Sequence, residues 1–148
     1  MEDFDCLKLK NQLCFPLYSV SNLIIRNYKP LLDDLNLTYT QYITMMVLWE
    51  KGDINEKELG KSLYLKSNTL TPLLKKLKDK GYIDLNKDNK DARNLIISLT
   101  DDGKELKNKA KHIPSSIAKG VGISIEEAKY LYDILYKILE VNYENLWF

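Results

Sequence analysis

Along residues 56–80, EKELGKSLYLKSNTLTPLLKKLKDK, apolar positions recur at spacings of three and four with one pause, which predicts two short helices joined by a tight turn. The first covers 56–63, with Leu59 and Leu63 four apart on one face. The second opens at Ser67, whose hydroxyl is placed to cap first-turn amides, and turns Leu70, Leu73, Leu74 and Leu77 inward. Pro72 is tolerable there, because amides near a first turn mostly lack intrahelical partners. Gly81 reads as the stop. The pattern then changes to two β-branched runs, YIDL and LIISLT, separated by NKDNKDARN, a polar loop of turn formers. That predicts a two-stranded hairpin with a basic tip.

The flanks are helical by the same criterion. Residues 7–35 read as one long helix striped by Leu13, Leu17, Val20, Ile24, Tyr28 and Leu31, with possible breaks near Pro16 and Pro30. Thr38 caps a second helix with Tyr42, Met45, Met46 and Trp49 as its core face, and Gly52 ends it. After the hairpin, Thr100 caps a helix with Asp101 and Asp102 in its first turn, running to about Ile113, where Pro114 and Ser115 mark a break. Ser124 and Glu127 form a capping box for a last helix through Leu131, Leu135, Ile138, Leu139 and Leu146, followed by the apolar Trp147 and Phe148.

The resulting fold class is mainly α with a small β-hairpin wing: a winged helix-turn-helix whose long N- and C-terminal helices form a dimer interface. The division is 1–37 for an N-terminal dimerisation helix, 38–100 for the winged helix-turn-helix and 101–148 for C-terminal helices completing the dimerisation region. The plainer alternative is that the terminal helices complete a monomer core. Dimerisation is favoured because two winged helices on a twofold axis match half-sites about one duplex turn apart, on a pseudo-palindromic double-stranded DNA.

The outer side of the second short helix carries Asn68, Thr69, Thr71, Pro72, Lys75, Lys76 and Lys78, with Ser67 at its start. Asn can pair with an adenine edge, Thr can meet a thymine methyl or a phosphate, and Lys neutralises phosphate. Lys87, Lys90 and Arg93 at the hairpin tip are placed to reach backbone or a minor groove. The competing reading is an amphipathic helical hairpin with a solvated lysine face. Charge supports the first: residues 51–93 carry 11 basic and 7 acidic side chains, while both flanks are net negative and the whole chain is only +1.

Length and a 45% hydrophobic content fit one compact domain or one domain plus extensions, large enough for a real core. Neither a membrane span nor a secretion leader is indicated, so a cytoplasmic protein is expected. One His and the lack of a Cys-x-x-Cys motif offer no metal cluster, and no cofactor is expected. The two cysteines, Cys6 and Cys14, would stand about 12 Å apart on one helix, too far to bridge. Cys14, between Leu13 and Phe15, is either an inert buried thiol or, if Pro16 marks a first turn, a thiol beside unpaired amides that favour thiolate.

NQLCFPLY at 11–18, YKPLLDDLNLTYTQY at 28–42, LWE at 48–50, the run from ELG at 58–60 into LYLKSNTLTPLLKKL, the KDARN tip and SLTDDGKEL together resemble the MarR family of winged-helix regulators. Within it they look most like the OhrR-type organic hydroperoxide sensors and their single-cysteine relatives. The likeness covers about residues 7–110. It implies a homodimeric repressor that leaves its operator when Cys14 is oxidised, with Tyr28 and Tyr39 as the hydroxyls that bond the cysteine across the dimer. It also implies an organic hydroperoxide and a small cellular thiol as the signals, since no cysteine follows Cys14 to resolve the oxidised form. The chain departs from the family at Lys66-Ser67-Asn68, where an acidic residue followed by Ser-Gly is usual. It departs again at Asp91-Ala92-Arg93, where Asp-Glu-Arg is usual, and both changes make this face more positive. Two other functions compete: a regulator of the same fold sensing a small phenolic ligand with Cys14 structural, and a thiol peroxidase. The last would leave the basic helix and wing idle, so a non-enzyme is expected.

Overall fold

The computed structural model describes residues 4–143, so the expectations for Leu146, Trp147 and Phe148 lie outside it. The chain opens with two short 3-10 turns, Asp5–Leu7 and Leu9–Asn11, and the first α-helix, α1, runs only from Cys14 to Asp33. The long helix expected from residue 7 is therefore shorter. Side chains of Asn11 and Gln12 take the carbonyls of Asp5 (2.7 Å) and Cys6 (2.5 Å), holding the turns in place of a helical ladder. Pro16 sits in the first turn of α1, and Pro30 lies inside it without ending it. The corner after α1 closes on Asn36 at φ 53, with Leu37 N–H donating to Leu32 O and Asn36 N–H to Asp33 O.

Helix α2 (Tyr39–Lys51) starts at Thr38 with the full capping box to Gln41 and stops at Gly52, φ 74. Tyr42 and Met45 are buried on it, whereas Met46 is 42% exposed and Leu48 takes the core position instead. A two-residue strand, β1 (Ile54–Asn55), leads into α3 (Glu56–Leu63), capped by the Asn55 side chain on Glu58 N–H. Helix α4 covers Ser67–Asp79 and buries Leu70, Leu73, Leu74 and Leu77. Its N-cap is Lys66, and Ser67, already one residue inside, makes no capping bond. Gly81 at φ 80 ends it, with Tyr82 N–H on Leu77 O and Gly81 N–H on Lys78 O.

Strands β2 (Ile83–Lys87) and β3 (Leu95–Leu99) form the antiparallel hairpin, but β1 adds to it, giving a three-stranded sheet in the order β1-β3-β2. Ile97 sits opposite both Ile54 and Leu85, and it is fully buried. Helix α5 (Asp101–Ala110) is capped by Thr100 and ends three residues short of Ile113. Pro114 then stands in the first turn of an additional helix, α6 (Ile113–Gly120), where a missing amide costs nothing. Helix α7 (Ile125–Asn142) starts at Ser124 with the expected capping box. Among the described residues, every buried hydrophobic lies between Leu32 and Ile113, in one cluster shared by α2 to α5, the sheet and the neighbouring ends of α1 and α6.

Candidate nucleic-acid interface

Helices α3 and α4 meet through a turn at Tyr64, φ 53, and their joint burial of Leu59, Leu70 and Leu74 leaves Asn68, Thr69, Thr71, Pro72, Lys75, Lys76 and Lys78 together on the exposed side of α4. Ser67 is exposed beside them. Thr71 differs from expectation in one respect: its hydroxyl already donates within the fold, 2.8 Å from Ser67 O and 3.1 Å from Glu56 Oε1. A groove of 270 Å³ separates α4 from the hairpin, with Glu56, Lys57, Ser67, Arg93 and Asn94 on its walls.

At the tip, Lys87 ends β2, and Lys90 and Arg93 lie in the connecting turn, all three exposed. Arg93 grips Asp91 through Nε (3.1 Å) and Nη2 (3.2 Å), and its amide adds a third bond to Oδ1. These bonds hold the Asp91 carboxyl below the usual carboxylate range, and they aim a guanidinium that is 91% exposed. The tip is therefore a shaped cation rather than a loose charge.

What fixes the reading helix in space was not legible from its own sequence pattern. Lys80, just past α4, donates from Nζ to Asn36 O (2.6 Å) and Gln41 Oε1 (2.7 Å). Burial, and then the charge of Lys76, pull its pKa down. Tyr82 donates to Leu35 O at 3.1 Å. Both bonds end at the α1–α2 corner, which lies next to the tyrosines of interest. Tyr28 and Tyr39 rings are 5.0 Å apart and Tyr28 and Tyr42 rings 5.8 Å. Burial, reinforced by Tyr39 and Tyr42, pushes the Tyr28 phenol up to about 12, and burial also raises Tyr39. Both are neutral donors at pH 7.

Cys14 is the first residue of α1 and is exposed, as are Leu13 and Phe15, so in the single chain it is not packed among them. Cys6 is likewise exposed and not disulfide-bonded. Cys14 and Tyr28 lie fourteen positions apart on the same helix, roughly 21 Å of rise, so one chain keeps them apart. An apolar cleft of 470 Å³ runs between α1 and α7, with Leu17, Val20, Ile24, Tyr39, Leu131 and Leu135 among its lining. At the far end of α7, Tyr143 stands edge-on to Tyr64, rings 5.6 Å apart. No group of His, Cys, Asp and Glu among the described residues could hold a metal ion. None of the described helices is long and apolar enough to cross a membrane.

A helix pair joined by a tight turn, a three-stranded sheet and an arginine-tipped hairpin define a winged helix-turn-helix regulator that binds DNA. The profile of the family described as transcriptional regulator SarA/Rot matches residues 26–110. The chain is 45% identical over 142 residues to the organic hydroperoxide resistance transcriptional regulator of Bacillus subtilis, covering 96% of this chain and 97% of that one. It is 41% identical over 137 residues to the HTH-type transcriptional regulator SarZ of Staphylococcus aureus, covering 93% of each. Among solved structures, reduced AbfR of Staphylococcus epidermidis bound to DNA aligns with a TM-score of 0.77 at 36% identity, covering 90% of this chain and 94% of that one. The chain belongs to the SarA/Rot family of transcriptional regulators, winged-helix proteins of the MarR type.

Proposed function

We propose that this regulator is a homodimeric repressor that releases its operator when Cys14 is oxidised by an organic hydroperoxide. The observation that carries this reading is the separation of its parts. Cys14 opens α1 exposed beside first-turn amides, and the Tyr28–Tyr39 pair, two neutral phenol donors, lies about 21 Å away on the same chain. The two come together only if a second chain brings its Cys14 to the tyrosines. There the phenols stabilise a thiolate, which attacks the distal peroxide oxygen. The O–O bond breaks, an alcohol leaves, and Cys14 becomes a sulfenic acid. A small cellular thiol then displaces water to give a mixed disulfide. The added bulk sits where an interface is packed, so the two readers shift and lose their half-site spacing. Two relatives support a thiol switch: one is named for organic hydroperoxide resistance, and AbfR is described in reduced and overoxidized DNA-bound forms and in a disulfide form.

In this reading residues 1–37 and 101–148 form the dimer region and 38–100 the reader, all working in the cytoplasm. Asn68, Thr69, Thr71 and Pro72 face bases, with Ser67 beside them. Lys75, Lys76, Lys87 and Lys90 neutralise phosphate, and Arg93 enters the minor groove. The test is fluorescence anisotropy on DNA from upstream of the protein's own gene, titrating an organic hydroperoxide with a small thiol present. Wild type should release the DNA and Cys14→Ser should hold it. Tight binding by both throughout would remove the thiol switch and favour a small phenolic ligand in the cleft beside Tyr39.

A further inference from the structure

We propose that Glu56, on the first turn of α3, is a specificity-determining residue: it fixes Thr71 so that the threonine offers DNA its methyl group and not its hydroxyl proton. The inference rests on α4 being the reading helix.

A threonine in a helix divides between two χ1 rotamers, because its hydroxyl can bond the carbonyl four residues back. Thr71 makes that bond to Ser67 O at 2.8 Å, and the same hydroxyl lies 3.1 Å from Glu56 Oε1. Glu56 belongs to a different helix, so the contact is not a by-product of α4 geometry, and it selects the one rotamer that serves both oxygens. A carbonyl and an ionised carboxylate only accept, and a hydroxyl has a single proton. That proton is therefore committed inside the protein. It is not available to a phosphate oxygen, to guanine O6 or N7, or to thymine O4. Thr71 remains exposed, and with its hydroxyl proton committed the methyl is the group it has to offer a base.

The carboxylate occupies the N-terminal turn of α3, where the helix dipole favours an anion, and it shares the groove wall with Ser67 and Arg93. A negative charge at that position discourages a phosphate from approaching Thr71 and leaves a base methyl as the suitable neighbour. In the major groove that methyl belongs to thymine.

The experiment selects a duplex from a randomised pool with the reduced wild-type protein and then replaces each thymine by uracil in turn, which deletes only the methyl. For wild type, one thymine in each half-site should cost about 3-fold to 10-fold in affinity when replaced, the size of one buried methyl contact. Thr71→Val keeps a methyl at that place and should keep the thymine dependence, read as the thymine-to-uracil affinity ratio. Thr71→Ser should lose the dependence. Glu56→Ala removes one of the two oxygens that hold the rotamer and the charge beside it, so the thymine-to-uracil ratio should fall while binding to unrelated duplex strengthens. If Thr71→Val lost the thymine dependence, the hydroxyl would be the reading group and the proposal would fail; it would fail equally if no uracil replacement mattered in the wild type. If Lys76→Ala and Asn68→Ala both left DNA binding untouched, α4 would not be the reader, and the proposed function would fail with it.

Discussion

The terminal helices are richer in apolar residues than the reading helix, yet they are the ones left largely unburied. Helix α4 buries four leucines in thirteen residues, whereas α7, with Leu131, Leu135, Ile138 and Leu139 on it, buries no residue in eighteen. Helix α1 contributes Leu32 alone, at the end nearest the reader. An exposed face of this size, carrying Leu17, Val20, Leu23, Leu131, Ile134 and Ile138, is far beyond scattered surface leucines. The difference teaches that one chain is enough to finish the DNA-reading module, while the α1–α7 face stays open. In the proposed dimer a second copy covers it, so the sensor is the part that depends on assembly.

The sharpest break should come from Gly103. A Cβ there would lie 2.0 Å from the backbone oxygen of Tyr82, and backbone cannot step aside. Gly103→Ala, at the start of α5 where it packs on the reader at Tyr82, should therefore destabilise the shared core by about 3 kcal/mol, seen as a lower urea midpoint. Leu131→Asp should act on the other region only. We expect at least about tenfold weaker self-association by sedimentation, with secondary structure retained, since Leu131 is not part of the buried core. If that variant unfolded instead, the two regions would not be separable.

Lys80→Met tests the link between them. Removing both bonds to the α1–α2 corner should cost about 1–3 kcal/mol and weaken DNA binding in the reduced state, read by melting and anisotropy. The smallest effect is a titration. Tyr28, Tyr39 and Tyr42 have folded pKa values raised above 10.0, so their contribution to stability is complete below that pH and is lost as pH climbs through the folded values, about 12 for Tyr28. Phenolate absorbance should show a late-ionising group that disappears in Tyr28→Phe. Ionisation of all tyrosines near pH 10 would mean the cluster is open to water.

Much of this was legible because helix ends are written in single residues. Thr38, Thr100, Ser124, Gly52 and Gly81 each mark an end where a hydroxyl or a positive φ is needed, and the two short helices follow directly from leucine spacing. Three features escaped for stated physical reasons. Strand β1 is two residues long, too short for any period to show. Helix α6 hides behind Pro114, which interrupts a helix interior but is welcome in a first turn. The 3-10 turns before Cys14 depend on where Asn11 and Gln12 send their side chains, and no spacing rule reports that. In the candidate site, charge and face picked out α4 and the tip. Tyr28 and Tyr39 emerged only through family resemblance, because the grouping with Cys14 joins residues that one chain holds apart. Glu56 carried no signal of its own, since an acidic residue opening a helix is ordinary until its oxygen is seen beside Thr71.

The edge-on contact of Tyr143 with Tyr64 has a consequence for how the protein is made. The helix pair, the hairpin and their core are complete with residues no later than Ile113. The turn at Tyr64 receives its aromatic neighbour only after α7 has left the ribosome. A nascent chain can therefore assemble its winged helix while synthesis continues, with that turn still uncovered on one side. The last long helix then arrives as a latch, in the same step that presents the face for a second chain.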